Sequence, residues 1–576
     1  MRFEITGRWE KEFEHDGMLY CAQRIEEMLM IYTSHLYKVP MYNTFLLAYE
    51  FMLVYSTVET KSIDQSHLKN IMEEFIDSFS SDIIVKQHFS QSQVKYFVSR
   101  LTGSNLPEQR KIMHYLIHAM SDYPNWCIDV LKNVVAKPKE KKNIEKALRS
   151  YVPMIIGMDY HPQAVYKECK KVFSKCHINS LDALDTFLDK FTGADIEYTV
   201  YLSVDKKIEK FKKILESRLG ISFTQDECSK ELHYDANSQI CVSLSESALD
   251  VNGAAMRAYE RFNLFMKYYK FLGNRDQEWC GDRCLVKDAD NNMSFPYIGS
   301  ERYFYSQDYD DTTLGHNSER VITKLLENAG QNDFFKIDKL IRAHNTALSS
   351  RDINNAFLNL WSMIEIIGVD EFGGDTSKIK QVIKNIVPVL KRNYVKRIVE
   401  ELHDYLKANL QIDDYNAMIK AIIEEGSDEY KIACLVSLSK YEETRKKVYI
   451  MLKNYPLLRS RISQLSEDVF KKKKELLTEL NRYGQRLIWH IQRLYRVRNS
   501  IIHSGEPEKS MVYLVEHLHS YVDEVLLDII ERMTRSCSLG TIANVLLDAQ
   551  LFMDTIEKEY TKDEEFQPCD IKMIMD

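Results

Sequence analysis

Glycine and proline are scarce in this chain of 576 residues, with 19 and 11 copies respectively. Together they make up about 5% of the residues, whereas average proteins contain roughly 12%. These two residues form turns and terminate helices. Their scarcity, together with abundant Lys, Glu, Leu and Met, predicts a mostly helical protein with few tight turns.

Neither a secretion signal nor a membrane span is predicted. The first residues, MRFEITGRWEKEF, contain no apolar segment of the signal-peptide type. The longest apolar stretch, residues 44–55, is interrupted by Glu50 and is much shorter than the roughly 20 residues of a spanning helix. Eleven cysteines lack the spacing of a disulfide scaffold. We therefore expect a cytoplasmic protein with reduced thiols and no membrane partner.

Several common catalytic motifs are missing as well. The patterns GxxxxGK[ST], HExxH and GxSxG do not occur, which excludes the usual nucleotide-binding, zinc-protease and hydrolase classes. Cys280 and Cys284 have no second pair at zinc-ribbon spacing, so we interpret them as ordinary thiols. Residues 288–292 resemble the start of a calcium loop without its Gly and Glu, and we interpret them as a turn. We expect no cofactor and no metal.

Charge is distributed unevenly along the chain. The net charge of −8 argues by itself against a nucleic-acid-binding protein. However, residues 459–503 contain eleven Lys and Arg against four Asp and Glu, whereas residues 506–576 contain six against sixteen. Because salt screens distant charges within about 10 Å, a local basic stripe can attract phosphate on an acidic protein. For the lysine run 471–474, a solvated helix face is the simpler interpretation.

Changes in hydrophobic periodicity divide the chain into four parts. Residues 1–193 read as successive amphipathic helices, and residues 318–560 are helical again. Between them, the pattern of residues 194–317 predicts a small α/β domain. Its element order, β-α-β-β-α-β, fits a ferredoxin-like fold. Residues 561–576 form an acidic tail that we expect to fray. The predicted strands lie at residues 196–203, 221–223, 240–244, 284–286 and 303–305.

One helix near the end of the chain contains an anomaly. We call it the motif helix, and its apolar seam consists of Leu487, Ile491, Leu494 and Ile501. Arg498 occupies the position that would continue this seam. Burying an isolated charge costs several kcal/mol. The guanidinium must therefore meet either a carboxylate or the phosphate of a partner.

The motif helix is predicted to end just after His503, at Ser504-Gly505-Glu506-Pro507. At this end the helix dipole favours the imidazolium, whereas Arg496 opposes it. Arg498 and His503 are five residues apart, which corresponds to about 140° around a helix. Asn499 and His503, four apart, share a face. Arg498 and His503 therefore meet on one phosphate only through two copies in apposition or a distorted helix end.

The stretch from Tyr495 to Gly505, Tyr-Arg-Val-Arg-Asn-Ser-Ile-Ile-His-Ser-Gly, resembles the R-N-x-x-x-H motif of HEPN domains. The form is that of the ApeA-like HEPN proteins of prokaryotic defence systems. Upstream, Trp361 and Glu365 are similar to the Trp-x-x-x-Glu helix that opens such domains. The resemblance covers roughly residues 335–560 and implies a HEPN helical bundle there.

The resemblance implies a metal-independent endoribonuclease that acts as a homodimer, with two motifs lining one cleft and RNA as the partner. His503 would move a proton and Arg498 would stabilise charge developing on phosphorus. Asn499 would orient the phosphate or the His503 ring, and Arg493 and Arg496 would follow the RNA backbone. The expected products are a 2′,3′-cyclic phosphate and a 5′-hydroxyl.

Glu365 lies on the same helix face as Trp361, so it too is a charge on an apolar stripe. We hypothesise that it pairs with Arg498 or Arg496; the alternative places it at a helix edge in water. Tyr495 precedes the motif and, like Trp361 and Glu365, is assigned a supporting role.

Three functional interpretations remain open. In the first, the chain is a regulated anti-phage ribonuclease whose N-terminal residues sense a trigger of phage origin or restrain the nuclease. In the second, it is a catalytically silent HEPN dimer that binds RNA or a protein, with Arg498 and His503 in structural roles. In the third, it is a scaffold built on the helical N-terminal region.

Overall fold

We analysed a computed structural model of the chain. It describes all residues except 1–2, 4–8, 10–15, 31–32, 34, 41, 60–64, 138–139, 225–231, 233–234, 236, 274–279, 299–310, 351, 370–376, 505–510 and 536–538. The side chains of residues 311–317, 503–504 and 512 also lie outside the described set. The strand predicted at residues 303–305 falls in this excluded part.

The chain forms two compact units. The larger unit combines Met1–Tyr151 with Phe304–Asp576, and the smaller unit consists of Val152–Tyr303. The regular elements described for the larger unit are helices, whereas the smaller unit also contains a sheet. The mostly helical fold with a small α/β insertion is therefore confirmed. The predicted domain limits 1–193, 194–317, 318–560 and 561–576 stay predictions.

Ten helices precede the sheet in the described part of the chain. They are α1 (Asp16–Leu29), α2 (Thr44–Glu59), α3 (Ser66–Ser81), α4 (Ile83–His88), α5 (Gln91–Gly103), α6 (Leu106–Ala119), α7 (Tyr123–Val135), α8 (Lys141–Gly157), α9 (Pro162–Lys170) and α10 (Asp182–Leu188). A π-helical turn, Lys171–Lys175, follows α9.

The smaller unit contains an antiparallel sheet with the strand order β2-β3-β1-β4-β5. Its elements are β1 (Ile196–Asp205), a 3₁₀ turn (Lys206–Phe211), α11 (Lys212–Leu219), β2 (Ser222–Thr224), β3 (Gln239–Ala248), α12 (Val251–Gly273), β4 (Cys280–Lys287) and β5 (Met293–Ser294). The first four predicted strands all appear, in the predicted β-α-β-β-α-β order.

Strand β1 is central, and its buried residues pack under α12. Val200 lies opposite Leu244 of β3 and opposite Val286 of β4, so three apolar side chains share one face. Phe262 of α12 belongs to the same core. Beyond β4, the Asp288 carboxylate accepts hydrogen bonds from the backbone N–H groups of Asp290 and Asn292, at 3.0 and 2.9 Å. The calcium-like segment thus forms a turn held by its own side chain.

The C-terminal part of the larger unit is described as twelve helices. They are α13 (Asp311–Asn328), α14 (Gln331–Ser349), α15 (Ile353–Gly368), α16 (Lys378–Asn409), α17 (Ile412–Lys420), α18 (Asp428–Ser437), α19 (Glu442–Met451), α20 (Pro456–Gln464), α21 (Lys473–Ser504), α22 (Met511–Arg535), α23 (Ile542–Glu559) and α24 (Pro568–Met575). A 3₁₀ turn, Ser439–Tyr441, precedes α19, and a π-helical turn, Leu465–Val469, follows α20.

The motif helix is α21, and its apolar seam faces the interior. Leu487, Ile491, Leu494 and Ile501 are all buried. The helix packs on α16, α15 and α3, so it contacts both the C-terminal and the N-terminal parts of the larger unit. Burial of this seam stabilises a long helix that contains no proline.

The acidic tail is ordered by a helix and does not fray as expected. Helix α24 buries Ile571 and Ile574. Lys472 binds Asp563 at 2.5 Å, and Lys473 binds Asp570 at 3.0 Å. Two lysines of the run 471–474 thus pair with the tail, because a buried apolar face holds the tail close to them.

Among the residues that the structure describes, no helix has both the length and the apolar composition that a membrane-spanning helix needs.

Three buried histidines form a cluster inside the larger unit. His35 Nε2 lies 3.0 Å from the Tyr483 hydroxyl, and His490 Nδ1 lies 2.8 Å from the Tyr521 hydroxyl. The ring of His517 packs edge-on against that of His490, with centroids 5.0 Å apart. Burial lowers the pKa of all three histidines, that of His517 to about 3. The cluster is therefore neutral at physiological pH.

We expect His517→Gln to reduce the acid sensitivity of the fold. The folded-state pKa of His517 lies below its ordinary value of 6.5, so the unfolded chain takes up a proton first as the pH falls. The stability contribution is complete above pH 6.5 and decreases towards pH 3. Between pH 6.5 and 5 the loss should be about 2 kcal/mol for this one group.

Chemical denaturation at a series of pH values measures this slope in the wild type and the variant. His88, which is exposed, gives the matched control His88→Gln. Equal slopes for the wild type and His517→Gln would contradict the prediction.

Candidate functional site

Arg498 sits at the exposed edge of the motif helix, with 28% of its side chain accessible. One guanidinium nitrogen, Nη2, lies 3.9 Å from Oε1 of Glu365 on α15. The other, Nη1, donates a hydrogen bond of 3.1 Å to Oδ1 of Asn499. The charge on the seam therefore meets a carboxylate, one of the two possibilities that its position allowed.

Helix α15 brings Glu365 to this place. The helix begins at Ile353 and is capped by Asp352, whose side chain accepts a hydrogen bond from the backbone N–H of Asn355. Trp361 is fully buried and anchors the helix, and its indole Nε1–H donates to Glu365 Oε1 at 2.8 Å. The Tyr495 ring packs against the indole, with centroids 5.8 Å apart. Trp361, Glu365, Tyr495 and Arg498 thus form one contact network between α15 and α21.

The ion pair between Arg498 and Glu365 is long and partly solvated. Glu365 exposes 22% of its side chain, and its Oε1 is shared with the indole. Ion pairs of this kind contribute roughly 0–1 kcal/mol. An anionic ligand such as phosphate can therefore compete for the Arg498 guanidinium at low cost.

His503 lies in the last turn of α21, which is α-helical through Ser504. Its side chain is outside the described residues, so its distance to Arg498 is not defined. Asn499 is half-buried beside Arg498. Of the three residues predicted to be catalytic, the structure brings Arg498 and Asn499 into contact.

Arg493 and Arg496, five and two residues before Arg498, are buried away from solvent. Arg493 binds Glu50 through two parallel hydrogen bonds of 2.9 and 2.8 Å, and it binds Glu74 at 2.6 Å. Arg496 donates to Glu50 at 2.6 Å. The guanidinium of Arg493 also lies over the ring of Tyr42, 4.7 Å from its centroid. Both arginines expected to follow an RNA backbone are thus held by carboxylates of α2 and α3.

Glu50 is the centre of this buried network. Burial alone would raise its pKa, but Arg493 and Arg496 outweigh that effect and lower the pKa to about 2. The Glu50 carboxylate is therefore ionised throughout the physiological pH range. Sequence analysis noted Glu50 only as the residue that interrupts an apolar stretch. A charge in such a stretch is the signal that could have identified it as the partner of a buried cation.

Other residues of the basic stripe are also paired within the protein. Arg459 binds Asp16 and Arg461 binds Glu27, each at 2.8 Å, and both carboxylates belong to α1. Residues 459–503 carry a net positive charge when counted alone. In the fold, acidic residues distant in the sequence compensate most of it.

Comparisons of this chain with protein-family models, with curated proteins and with solved structures found no match.

We expect Glu50→Ala to destabilise the larger unit by about 3–5 kcal/mol, because it leaves two buried guanidinium groups without their shared partner. Urea unfolding followed by circular dichroism measures the change. Glu73→Ala is the control, since Glu73 is exposed on neighbouring α3 and pairs only loosely with Lys69, at 3.9 Å. If Glu50→Ala lowered the free energy of unfolding no more than the control does, the network would contribute little to stability.

Proposed function

We propose that this chain is a HEPN-type endoribonuclease that cleaves RNA without a metal ion. One observation supports it above all: a partly exposed guanidinium, Arg498, emerges from an apolar helix face within two turns of His503, loosely held by Glu365. Such a group is positioned to exchange its carboxylate for a phosphate. The resemblance of the motif to HEPN domains supplies the reaction.

In this reaction the RNA provides its own nucleophile. The 2′-hydroxyl oxygen attacks the adjacent phosphorus, and the bond from phosphorus to the 5′-oxygen breaks. His503 takes the 2′-hydroxyl proton or delivers a proton to the leaving oxygen. Arg498 stabilises the negative charge that develops on the phosphoryl oxygens, and Asn499 orients the phosphate or the His503 ring. The products are a 2′,3′-cyclic phosphate and a 5′-hydroxyl.

A homodimer is part of the proposal. Arg498 and His503 are about 140° apart on a regular helix. The helix is regular through Ser504, which favours apposition of two chains over a distorted helix end. Arg498 of one protomer would then act with His503 of its partner. In the same proposal, residues 318–560 form the HEPN bundle and the smaller unit is ferredoxin-like.

The buried network suggests how the nuclease is restrained. Glu50 and Glu74, from the N-terminal helices, occupy Arg493 and Arg496. We assign to these helices the role of restraint, and to a trigger the role of loosening them. The resemblance places such a protein in anti-phage defence in the cytoplasm, with a trigger of phage origin. An unrestrained ribonuclease would harm its own cell.

A catalytically silent dimer that binds RNA or a protein is the second candidate. The paired state of Arg493 and Arg496 favours it, because both cations serve the fold in the described conformation. In this case Arg498 would bind an anion without promoting any reaction.

Cleavage of total RNA by the purified full-length protein tests the proposal. The reaction is run with and without EDTA, and the fragment ends are analysed for 2′,3′-cyclic phosphate. Arg498→Ala and His503→Ala should each reduce the rate by roughly 100-fold or more, since each removes a group acting in the transition state. Arg482→Ala is the matched control, because it removes the same charge from an exposed site on the same helix.

Because the wild type is restrained in this proposal, toxicity on overexpression is measured in parallel. The two site variants should relieve it, and Arg482→Ala should not. RNA that is bound but never cut, together with toxicity unaffected by Arg498→Ala or His503→Ala, would exclude the nuclease and leave the binding protein.

Glu74→Gln should increase both RNA affinity and cleavage rate several-fold. It removes one of the two carboxylates on Arg493, while Arg493 keeps its two hydrogen bonds to Glu50 and the amide preserves the shape of the side chain. Filter binding at several salt concentrations and the cleavage assay measure the effect, with Glu73→Gln as control. Unchanged affinity and rate in a folded Glu74→Gln protein would rule out restraint through Arg493.

A further inference from the structure

Two histidines and an aspartate converge between helices α14 and α22. His344 Nε2 lies 3.1 Å from His519 Nε2 and 2.9 Å from Asp523 Oδ1. His519 Nε2 lies 3.4 Å from Asp523 Oδ2. One donor atom from each residue thus falls within 4.8 Å of those of the other two. Neither histidine belongs to the motif or to its network with α15.

These distances match the spacing of ligands around one small cation. Zn²⁺ binds imidazole nitrogen and carboxylate oxygen at about 2.0–2.2 Å in tetrahedral geometry, which places ligand atoms roughly 3.3 Å apart. The two Nε2 atoms are 3.1 Å apart, and His344 Nε2 lies 2.9 Å from Oδ1 of Asp523, both near that value. His519 Nε2 lies 3.4 Å from the other carboxylate oxygen, Oδ2, so each imidazole faces one oxygen of the same carboxylate.

The protonation of the two rings decides which state the cluster adopts. With the proton on Nε2, each imidazole can donate to a different oxygen of Asp523. With the proton on Nδ1, both Nε2 lone pairs and the carboxylate face one region, and a cation there accepts a lone pair from each of the three groups.

The backbone holds the ligands in place from two helices. His519 and Asp523 are four residues apart on α22 and therefore share a face. His344 comes from α14, with its ring nearly parallel to that of His519 at a centroid distance of 5.1 Å. Nearby Lys38 is paired with Glu516 at 2.7 Å, so its positive charge is compensated.

The site is accessible from solvent on one side. His519 is buried, whereas His344 and Asp523 expose 21% and 38% of their side chains. An ion can therefore enter, and a water molecule can complete a tetrahedral set of three protein ligands.

We propose that His344, His519 and Asp523 form a binding site for a divalent transition-metal ion of the zinc class. Two imidazoles and one carboxylate suit such ions, whereas Mg²⁺ and Ca²⁺ take oxygen ligands. Helices α14 and α22 both pack on α15, the helix that carries Trp361 and Glu365. An ion joining α14 to α22 fastens the two helices that support α15. Its role is structural and separate from the proposed RNA chemistry.

Zn²⁺ binding to the full-length protein, first stripped with a chelator and then dialysed, tests the site. Competition with a chromophoric chelator gives the affinity and the number of ions. The wild type should bind one ion tightly, and Zn²⁺ should raise its unfolding temperature. His344→Ala should weaken this binding by roughly 100-fold or more, because loss of a ligand costs more than loss of a group that merely orients one. Mg²⁺ should neither compete nor stabilise.

The control is His114→Ala. His114 and His118 are exposed neighbours on α6, with ring centroids 4.6 Å apart. This pair offers another place where Zn²⁺ could bind through two imidazoles. The control variant should keep the tight ion. If His344→Ala does not fold, Asp523→Asn replaces it, since this change removes the charge and preserves the shape.

Co²⁺ substitution reports the coordination geometry. The wild type and His114→Ala should show the intense visible absorption of four-coordinate Co²⁺, and His344→Ala or Asp523→Asn should not. Absence of a tight ion in the wild type, or its loss in His114→Ala with retention in the triad variants, would overturn the proposal. The readouts are binding, stability and absorption, so a negative result leaves the nuclease proposal unaffected, and the converse also holds.

Discussion

The contact between Glu50 and the two arginines Arg493 and Arg496 is the constraint on which the larger unit depends. It lies inside the protein, where a carboxylate and two guanidinium groups each carry a large desolvation cost. The charges are tolerated because both guanidinium groups donate short hydrogen bonds to Glu50 and Arg493 also binds Glu74. The motif helix is thereby fixed in rotation as well as in position, since Arg493 and Arg496 must both face α2. Arg498, two residues beyond Arg496, is consequently turned towards α15.

This arrangement separates two kinds of arginine on one helix. Arg493 and Arg496 are saturated by carboxylates and contribute to the fold, whereas Arg498 keeps a loose partner and partial exposure. Electrostatic attraction for RNA depends on arginines such as Arg498. An arginine already paired with a carboxylate releases no counterions when it meets phosphate. The count of positive charges in residues 459–503 therefore overstates what a nucleic acid would encounter in this conformation. Any RNA-binding state with more contacts requires Glu50 or Glu74 to move.

Sequence patterns predicted the features that depend on local periodicity. The helical character, four of the five described strands of the sheet, the buried seam of α21 and its end near His503 follow from spacing and from the residues that stop a helix. The prediction that Arg498 meets either a carboxylate or a phosphate, and the hypothesis that Glu365 pairs with Arg498 or Arg496, also rested on local pattern. Glu365 lies 3.9 Å from Arg498.

Contacts between distant segments could not be predicted in the same way. Glu50 and Arg493 are 443 residues apart, and neither has a neighbouring residue that indicates the other. The same holds for His344 and Asp523, 179 residues apart, and for the lysines that bind the tail. Such pairs form because whole helices pack against each other. A single sequence does not show which helices do so. The expectation of a frayed tail was wrong for this reason: its charge was visible, but the lysines that compensate it were not identified as its partners.

The larger unit contains both ends of the chain, and the smaller unit is inserted in the sequence between Tyr151 and Phe304. A ribosome therefore completes α2 and α3 long before it makes the motif helix. Glu50 is therefore synthesised 443 residues before Arg493, and Glu74 419 residues before it. A fragment containing the C-terminal helices without the first 151 residues would lack the carboxylates that let the motif helix enter a core.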